Sequence, residues 1–277
     1  MRAAAVQLSS TPDRDRNLEA ADRLTREAAA RGAQLVVLPE KWPVLGTPEQ
    51  TAAGAEPLDG PALSWARATA RELGIDLVAG SVAERREGRE RVSNTSVHVA
   101  PDGEIRATYR KIHMFDVEVG GVDYRESAHS EAADEIVVSE TANGIKLGLT
   151  ICYDLRFPEL YRILALRGAR IVTVPSNFTR ITGEAHWEVL LRARAIENQV
   201  FVIAPGQGRR PGPEGDSHGN SMIVDPWGEV LARAPTGGEH VIAADLDLAR
   251  QDEVREKLPS LANRVDAAYR WPEGVTA

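Results

Sequence analysis

Short apolar segments alternate with stretches of helical periodicity along most of this 277-residue chain. Residues 3–8 (AAAVQL) are typical of a β-strand, and the apolar residues of 18–28 recur at the spacing of an amphipathic helix. A second apolar run, residues 34–38, ends at Pro39. A strand followed by a helix and another strand predicts a layered α/β fold.

The same pattern continues to about residue 245. It predicts helices over 61–73, 158–167 and 184–198, and strands over 75–80, 145–152, 169–174, 199–204 and 241–245. Two hairpins are also predicted, residues 92–99 with 104–110 and residues 221–225 with 229–234. Because hairpins occur among the alternating elements, we expect mixed sheets. The Gly- and Pro-rich segment 206–219 is predicted to be a mobile surface loop rather than a linker.

The charge balance and the apolar runs exclude several classes of function. A formal net charge of −8 and a pI of about 5.4 repel phosphate backbones, so nucleic acid is not an expected partner. No apolar run approaches the roughly 20 residues that cross a bilayer. With a single cysteine, Cys152, the chain can form no intramolecular disulfide. A cytoplasmic globular protein is therefore expected.

Cys152 is the first candidate for chemistry. A lone cysteine is more often a buried apolar thiol than a nucleophile. Cys152, however, follows an apolar strand and precedes a polar turn that leads into a predicted helix. Such an elbow leaves free backbone N–H groups beside the thiol, and these lower its pKa and stabilise an oxyanion.

A thiol nucleophile needs a base, and two kinds are available. Any of the six histidines could form a Cys–His pair in space, although none lies in a context that resembles the cysteine proteases. The alternative is a carboxylate with a lysine. Glu40 ends one apolar strand and Lys111 follows another, and α/β sheets gather sites at strand ends.

Five sequence motifs together resemble the nitrilase superfamily of carbon–nitrogen hydrolases, in the branch of omega-amidases and deaminated glutathione amidases. They are LPE (38–40), YRKIH (109–113), ICYDLRFPEL (151–160), AHWEVLLRARAIENQVF (185–201) and VDPWGEVLA (224–232). The resemblance extends from the first strand to about Tyr269, with the motifs in the family order. It therefore implies a single domain over residues 1–277, with a short C-terminal tail after about residue 246.

The resemblance implies a catalytic triad of Glu40, Lys111 and Cys152. Glu40 would act as base and then as acid, Cys152 would attack the carbonyl, and Lys111 would hold the oxyanion together with the backbone N–H of Tyr153. Glu126 matches a second family glutamate that positions the lysine. Candidate substrate-binding residues are Tyr153, Arg156, Phe178 and Thr182. For Arg156, an ion pair with Glu159 or a neighbouring carboxylate is an equally good explanation. Trp187 lies in the same pocket-lining segment as Phe178 and Thr182, and core packing is the alternative role for it.

The resemblance further implies a four-layer α-β-β-α sandwich with two mixed sheets, and a homodimer or higher homo-oligomer formed through helices 158–167 and 184–198. It implies no metal and no organic cofactor. The implied activity is hydrolysis of the C–N bond of a small carboxylic acid amide to acid and ammonia through a thioester. A nitrilase, an N-carbamoyl amino acid hydrolase and a non-catalytic binding protein of the same fold stay open as alternatives. The chain departs from the branch at Gly120-Gly121, where we expect a more mobile loop, and at Asn220, where histidine is common.

Overall fold

Strands and helices alternate in the computed structural model, which describes residues 1–210 and 216–270. In chain order the strands are β1 (Arg2–Gln7), β2 (Leu35–Val37), β3 (Asp76–Val78), β4 (Val82–Glu84), β5 (Ser93–Val99), β6 (Ile105–Arg110), β7 (Asp116–Val119), β8 (Val122–Arg125), β9 (Val138–Glu140), β10 (Lys146–Leu149), β11 (Ile171–Thr173), β12 (Phe201–Ala204), β13 (Met222–Val224), β14 (Val230–Arg233) and β15 (His240–Asp245). The helices are α1 (Arg14–Ala30), α2 (Pro48–Ala53), α3 (Pro61–Leu73), α4 (Pro158–Leu166), α5 (Arg180–Asn198) and α6 (Leu248–Lys257).

The first sheet contains seven strands in the order β15-β1-β2-β3-β5-β4, and β6 pairs with the other edge of β5. Its strands β1, β2 and β3 are parallel, whereas β15 and β5 are antiparallel to their neighbours. Successive residues of a strand face opposite sides of its sheet. Accordingly, Ala4 and Val6 of β1 pack with α1 and α3, and Ala3 and Ala5 belong to the core that lies against the second sheet.

The second sheet contains six strands in the order β14-β13-β12-β11-β10-β9, of which β10, β11 and β12 are parallel. Gly148 of β10 faces α4, because a Cβ built there would lie 3.0 Å from the Leu164 side chain. Its neighbours Leu147 and Leu149 point the other way, into the core shared with Ala3 and Ala5. Helices α4 and α5 therefore cover the outer face of this sheet. The predicted four-layer α-β-β-α sandwich with two mixed sheets is confirmed.

The two sheets bring the ends of their parallel strands to one edge of the sandwich. Segments that follow β1 and β2 meet segments that follow β11 and β12 through an isolated bridge and hydrogen bonds, such as Leu8 with Gln207 and the Asn177 N–H with the Glu40 carboxylate. Strand β6 runs in the same direction as β3, because both are antiparallel to β5. Residues just beyond these strands therefore gather at one place, as expected of α/β sheets.

Most of the predicted elements are present, with ends shifted by a few residues, and both predicted hairpins are confirmed. The sequence analysis did not predict α2, β4, β9 or the small β7–β8 hairpin. Gly120 and Gly121 form the two-residue turn of that hairpin, with φ of 59° and 77°. A loop predicted to be mobile is thus the tight turn between two paired strands, and left-handed backbone at both positions favours glycine.

Two further segments differ from the expectation. The predicted tail after about residue 246 contains α6, which begins at the Asp247 cap and buries Gln251 and Val254. In the predicted surface loop 206–219, residues 211–215 lie outside the described residues. Residues 206–208 and 217–219 of this segment are buried, with Gln207 at 1% and Ser217 at 6% exposure. No helix of the described ranges is long and apolar enough to cross a membrane.

Candidate active site

Glu40, Lys111 and Cys152 meet at the shared edge of the two sheets. Glu40 follows β2, Lys111 follows β6 directly, and Cys152 lies three residues beyond β10. The Lys111 Nζ lies 3.2 Å from the Glu40 Oε1, and all three side chains line a cavity of about 530 Å³. Each is nearly inaccessible, with exposures of 2% for Glu40, 1% for Lys111 and 7% for Cys152. The structure thus brings together the three groups that the sequence analysis selected.

The Glu40 carboxylate is held by donors from both sheets. The Asn94 Nδ2 of β5 donates to Oε1 at 2.8 Å, and the backbone N–H of Asn177, after β11, donates to Oε2 at 2.8 Å. The Gln207 Nε2 donates to the Glu40 backbone carbonyl at 2.9 Å. These bonds fix the carboxylate in one orientation, as a base in a preorganised site requires.

The turn that carries Cys152 has a left-handed backbone. Its φ is 49°, which is uncommon for a residue other than glycine and is found preferentially at functional sites. The Cys152 N–H donates to the Pro175 carbonyl at 2.9 Å. The buried Asp154 carboxylate holds the turn by accepting the Ile151 N–H at 2.8 Å and the Tyr109 hydroxyl at 2.6 Å. The predicted strand-to-helix elbow is therefore present, and Asp154 stabilises it.

Glu126 lies between two ammonium groups. Its Oε2 accepts from the Lys111 Nζ at 2.7 Å, and its Oε1 accepts from the Lys41 Nζ at 3.1 Å. Burial opposes the charge of Glu126, but the two lysines outweigh it and hold the pKa of this carboxyl well below its usual range. Burial likewise opposes the charge of Lys111, but Glu126 and Glu40 raise its pKa well above the usual value. Both groups therefore carry their charges at neutral pH.

Contrary to the lowered pKa expected at such an elbow, the Cys152 thiol is protonated at neutral pH. Burial and the adjacent Glu40 carboxylate raise its pKa well above the usual value, and the Lys111 charge only partly opposes them. Of the histidines, His98 and His113 bond through their rings to Asp76 and to Asp154, and His129 lines the same cavity. The charged groups that act on the thiol are Glu40 and Lys111. Because Lys111 is already protonated, the Glu40 carboxylate is the group placed to accept the thiol proton.

The predicted substrate-binding residues are only partly brought together. Phe178 lines the cavity, whereas Tyr153, Arg156 and Thr182 do not. The Thr182 hydroxyl, in the first turn of α5, is 2.8 Å from that of Thr179. The buried Trp187 packs against Phe178 at 4.8 Å between ring centroids and donates to the Asn220 carbonyl at 2.8 Å.

Arg156 lies beside the cavity, behind aromatic rings. Its guanidinium carbon is 5.5 Å from the Phe178 ring centroid and 5.7 Å from that of Tyr153, and its Nη1 is 3.3 Å from the His186 Nδ1. None of the ion pairs of the described residues joins it to Glu159. The ion-pair explanation is therefore wrong, and the guanidinium is held by aromatic rings and an imidazole instead.

Three residues of this site were missed by the sequence analysis. Asn94 and Asn177 bind Glu40, and Lys41 binds Glu126. Only Lys41 had a usable signal, because it follows directly after the selected Glu40. Among the described residues, no group of three or more His, Cys, Asp or Glu side chains is arranged to hold a metal ion.

The sequence model described as carbon–nitrogen hydrolase matches residues 2–256 of this chain. The deaminated glutathione amidase of Bos taurus is 42% identical over 271 residues, which are 96% of this chain and 82% of that protein. The omega-amidase NIT2-B of Xenopus laevis is 38% identical over 273 residues, which are 98% of each chain.

Two solved structures share the fold. Nit3 of Saccharomyces cerevisiae, described as a member of branch 10 of the nitrilase superfamily, superposes with a TM-score of 0.86 at 32% identity, covering 94% of each chain. A mutant amidase from Nesterenkonia superposes with a TM-score of 0.81 at 29% identity, covering 97% of this chain and 95% of that one. That amidase carries the acetamide moiety of fluoroacetamide on its active-site cysteine.

Proposed function

This chain belongs to the carbon–nitrogen hydrolase family and acts on amides, and from that premise we propose that it hydrolyses the amide of a small carboxylic acid through a Cys152 thioester. The observation that carries the proposal is the convergence of Glu40, Lys111 and Cys152 on one cavity of about 530 Å³. The amidases named among its relatives support the substrate class.

In the first half of the reaction, the Cys152 sulfur attacks the amide carbonyl carbon while its proton moves to Glu40. The carbonyl oxygen becomes an oxyanion, which the Lys111 ammonium and the Tyr153 backbone N–H stabilise. When the tetrahedral intermediate collapses, Glu40 returns the proton to the nitrogen and ammonia leaves. A thioester between Cys152 and the acyl group remains.

In the second half, Glu40 takes a proton from a water molecule as that water attacks the thioester carbonyl. The second oxyanion occupies the same position beside Lys111. Its collapse breaks the C–S bond, and Cys152 recovers the proton from Glu40 as the carboxylic acid leaves. One carboxylate therefore serves alternately as base and acid, which agrees with its fixed orientation between Asn94 and Asn177.

Ammonia release from a panel of substrates tests this function. The panel contains succinamate, 2-oxoglutaramate, deaminated glutathione, an aliphatic nitrile and N-carbamoyl-β-alanine, with Cys152→Ala as the inactive control. We expect turnover of at least one of the three amides, and mass spectrometry of the quenched reaction should show the acyl group on Cys152. Turnover of the nitrile or of the carbamoyl compound alone would assign a different reaction to the same triad. No turnover with an intact fold would favour the non-catalytic alternative.

We further propose that two copies associate through α4 and α5. Five apolar side chains of these adjacent helices are exposed: Ile163 at 37%, Leu166 at 47%, Ile181 at 46%, Val189 at 67% and Ile196 at 46%. Covering them with the same surface of a second copy would remove this apolar area from water. Light scattering should give the mass of a dimer, and Val189→Asp should lower that mass.

We also propose a cytoplasmic location, because Cys152 is a free thiol and the cytoplasm keeps thiols reduced.

A further inference from the structure

Lys41 occupies an unusual position beside the triad. It follows Glu40 directly, and its φ of 54° is left-handed. The Lys41 backbone N–H donates to the Ser81 hydroxyl at 3.0 Å, which holds this conformation. The side chain lines the same cavity as the triad, and its ammonium reaches Glu126 at 3.1 Å. Strained backbone thus directs a second ammonium into the active site.

The buried charges form a row of alternating sign. Lys41, Glu126, Lys111 and Glu40 are joined by contacts of 3.1, 2.7 and 3.2 Å, and the row ends at the Cys152 thiol. The two positive and two negative charges cancel. Burial opposes the charge of Lys41, but Glu126 and Glu40 raise its pKa above the usual value, so it is protonated at neutral pH.

The amino-acid composition shows that lysine is rare in this chain and is concentrated at this site. Only four of the 33 Lys and Arg residues are lysines, and two of those four share Glu126. Elsewhere the chain uses arginine almost throughout.

We propose that Lys41 is a positioning residue whose positive charge neutralises Glu126 and thereby leaves the Lys111 ammonium available to Glu40, the base. The inference rests on the proposed function, because that function makes Glu40 the acceptor of the thiol proton. Without the Lys41 charge, two carboxylates share the single ammonium of Lys111. Protonation of Glu40 then becomes easier, and a protonated Glu40 cannot accept the proton of Cys152.

Other charged and titratable groups face the same cavity, but they do not change in the test. They are Asp123, Tyr124, Arg125, His129 and Asp216. Three of them have partners of opposite charge outside the triad: Asp123 pairs with Arg125 at 3.0 Å, and Asp216 pairs with Arg180 at 2.9 Å. Since all of them are retained in every variant, a difference between variants reports on Lys41.

The test compares Lys41→Met, Lys41→Gln and Lys41→Arg with wild type, and Lys257→Met serves as the matched control on the exposed end of α6. The Gln variant keeps a hydrogen-bond donor for Glu126 but loses the charge, and the Arg variant keeps the charge. The pH dependence of kcat/KM is measured on an amide that wild type hydrolyses. The pH dependence of Cys152 labelling by iodoacetamide is measured in parallel, and circular dichroism checks the fold.

For the Met and Gln variants, we expect the acidic limb of kcat/KM to move up by roughly 1 pH unit, the effect of one charge lost from a partly solvated cluster. The labelling midpoint should also move up, because one positive charge is lost from the row that ends at the thiol. Lys41→Arg and Lys257→Met should keep both profiles at the wild-type position. A uniform fall in rate with both profiles unmoved would overturn the inference, and so would an equal shift in the Arg variant. If wild type hydrolyses no amide, the proposed function fails and the labelling profiles alone decide the role of Lys41.

Discussion

Two buried polar clusters connect the sheets of this molecule, and they differ in kind. One contains Glu40, Lys111 and Cys152. The other contains Asp76 of β3, His98 of β5 and Ser139 of β9, with His98 bonded to Ser139 at 2.7 Å and to Asp76 at 3.1 Å. By residue type alone, an acid, an imidazole and a hydroxyl resemble a hydrolase triad more closely than an acid, an ammonium and a thiol do.

The surroundings of the two clusters reverse that impression. Asp76, His98 and Ser139 lie within regular strands and are at most 6% exposed, and they do not line the cavity of about 530 Å³. The Asp76 carboxylate also accepts the Ala142 N–H at 3.2 Å, so the three side chains satisfy one another. The Cys152 cluster instead lies beyond strand ends and beside a cavity. Position in the fold, rather than residue type, separates a site of chemistry from a structural link.

Exchanging the candidate nucleophile should produce the largest contrast. Cys152→Ala removes the atom that attacks the carbonyl, so kcat/KM for amide hydrolysis should fall by on the order of 10⁴-fold or more. Ser139→Ala should stay within about threefold of wild type, because its hydroxyl contacts no substrate. Steady-state ammonia release measures both. Comparable losses in the two variants would erase the distinction between the clusters.

Exchanging the base should give the next largest effect. Glu40→Gln should lower kcat/KM by about 10²–10⁴-fold, the usual contribution of a general base. Because the Glu40 charge raises the pKa of the thiol, its loss should also move the midpoint of iodoacetamide labelling to lower pH. His98→Gln should leave the labelling profile unchanged. A midpoint that stays in place in Glu40→Gln would mean that the carboxylate does not act on the sulfur.

The free energy of unfolding should rank the two clusters in the opposite order. His98→Ala leaves two buried polar partners unsatisfied and a void, so the free energy of unfolding should fall by roughly 2–4 kcal/mol. Cys152→Ala should change it by less than about 1 kcal/mol, since a nucleophile in a strained turn contributes little to stability. Urea unfolding measures both. If His98→Ala is as stable as wild type, the second cluster is not a structural link.

The smallest effect expected is a pH-dependent one. The folded-state pKa of Glu126 is lowered, so its ion pairs stabilise the fold above the unfolded pKa of about 4.3 and lose this contribution as the pH falls toward the folded value. The difference in unfolding free energy between wild type and Glu126→Gln should therefore be largest near neutral pH and narrow progressively below pH 4.3. A difference that is constant with pH would show that Glu126 is not ionised in the folded protein.

Much of the fold was predictable, because buried strands and amphipathic helices are recorded in local periodicity. The runs that became β1, β2 and β10 are apolar enough to identify without any contacts. Helix α6 was missed because it buries only Gln251 and Val254, which leaves no apolar stripe to recognise. The β7–β8 hairpin was missed because its strands are short and largely exposed, although the Gly120-Gly121 pair is a typical hairpin turn.

The triad was predictable because each member follows a strand and lies in a motif. The residues that bind and orient the triad were not predictable. Asn94 lies within β5 and Asn177 acts through its backbone N–H, so neither carries a local signal of its role. Arg156 has a suggestive position four residues after Cys152, but only the packing of Phe178 against its guanidinium shows that it lies outside the cavity. Contacts between distant segments decide such cases.

The alanines at positions 3 and 5 of β1 bear on the rate of the proposed reaction as well as on the packing of the core. Both are fully buried between the sheets, and their small size sets how thick the middle of the sandwich can be. Glu40 follows a strand of one sheet and Cys152 a strand of the other, so the proton transfer of the proposed mechanism crosses from one sheet to the other. A bulkier residue at position 3 or 5 would push the two sheets apart. It would lengthen the distance of proton transfer without touching any reacting group. A substitution that changes the spacing between the two sheets is therefore expected to change the rate of the proposed reaction.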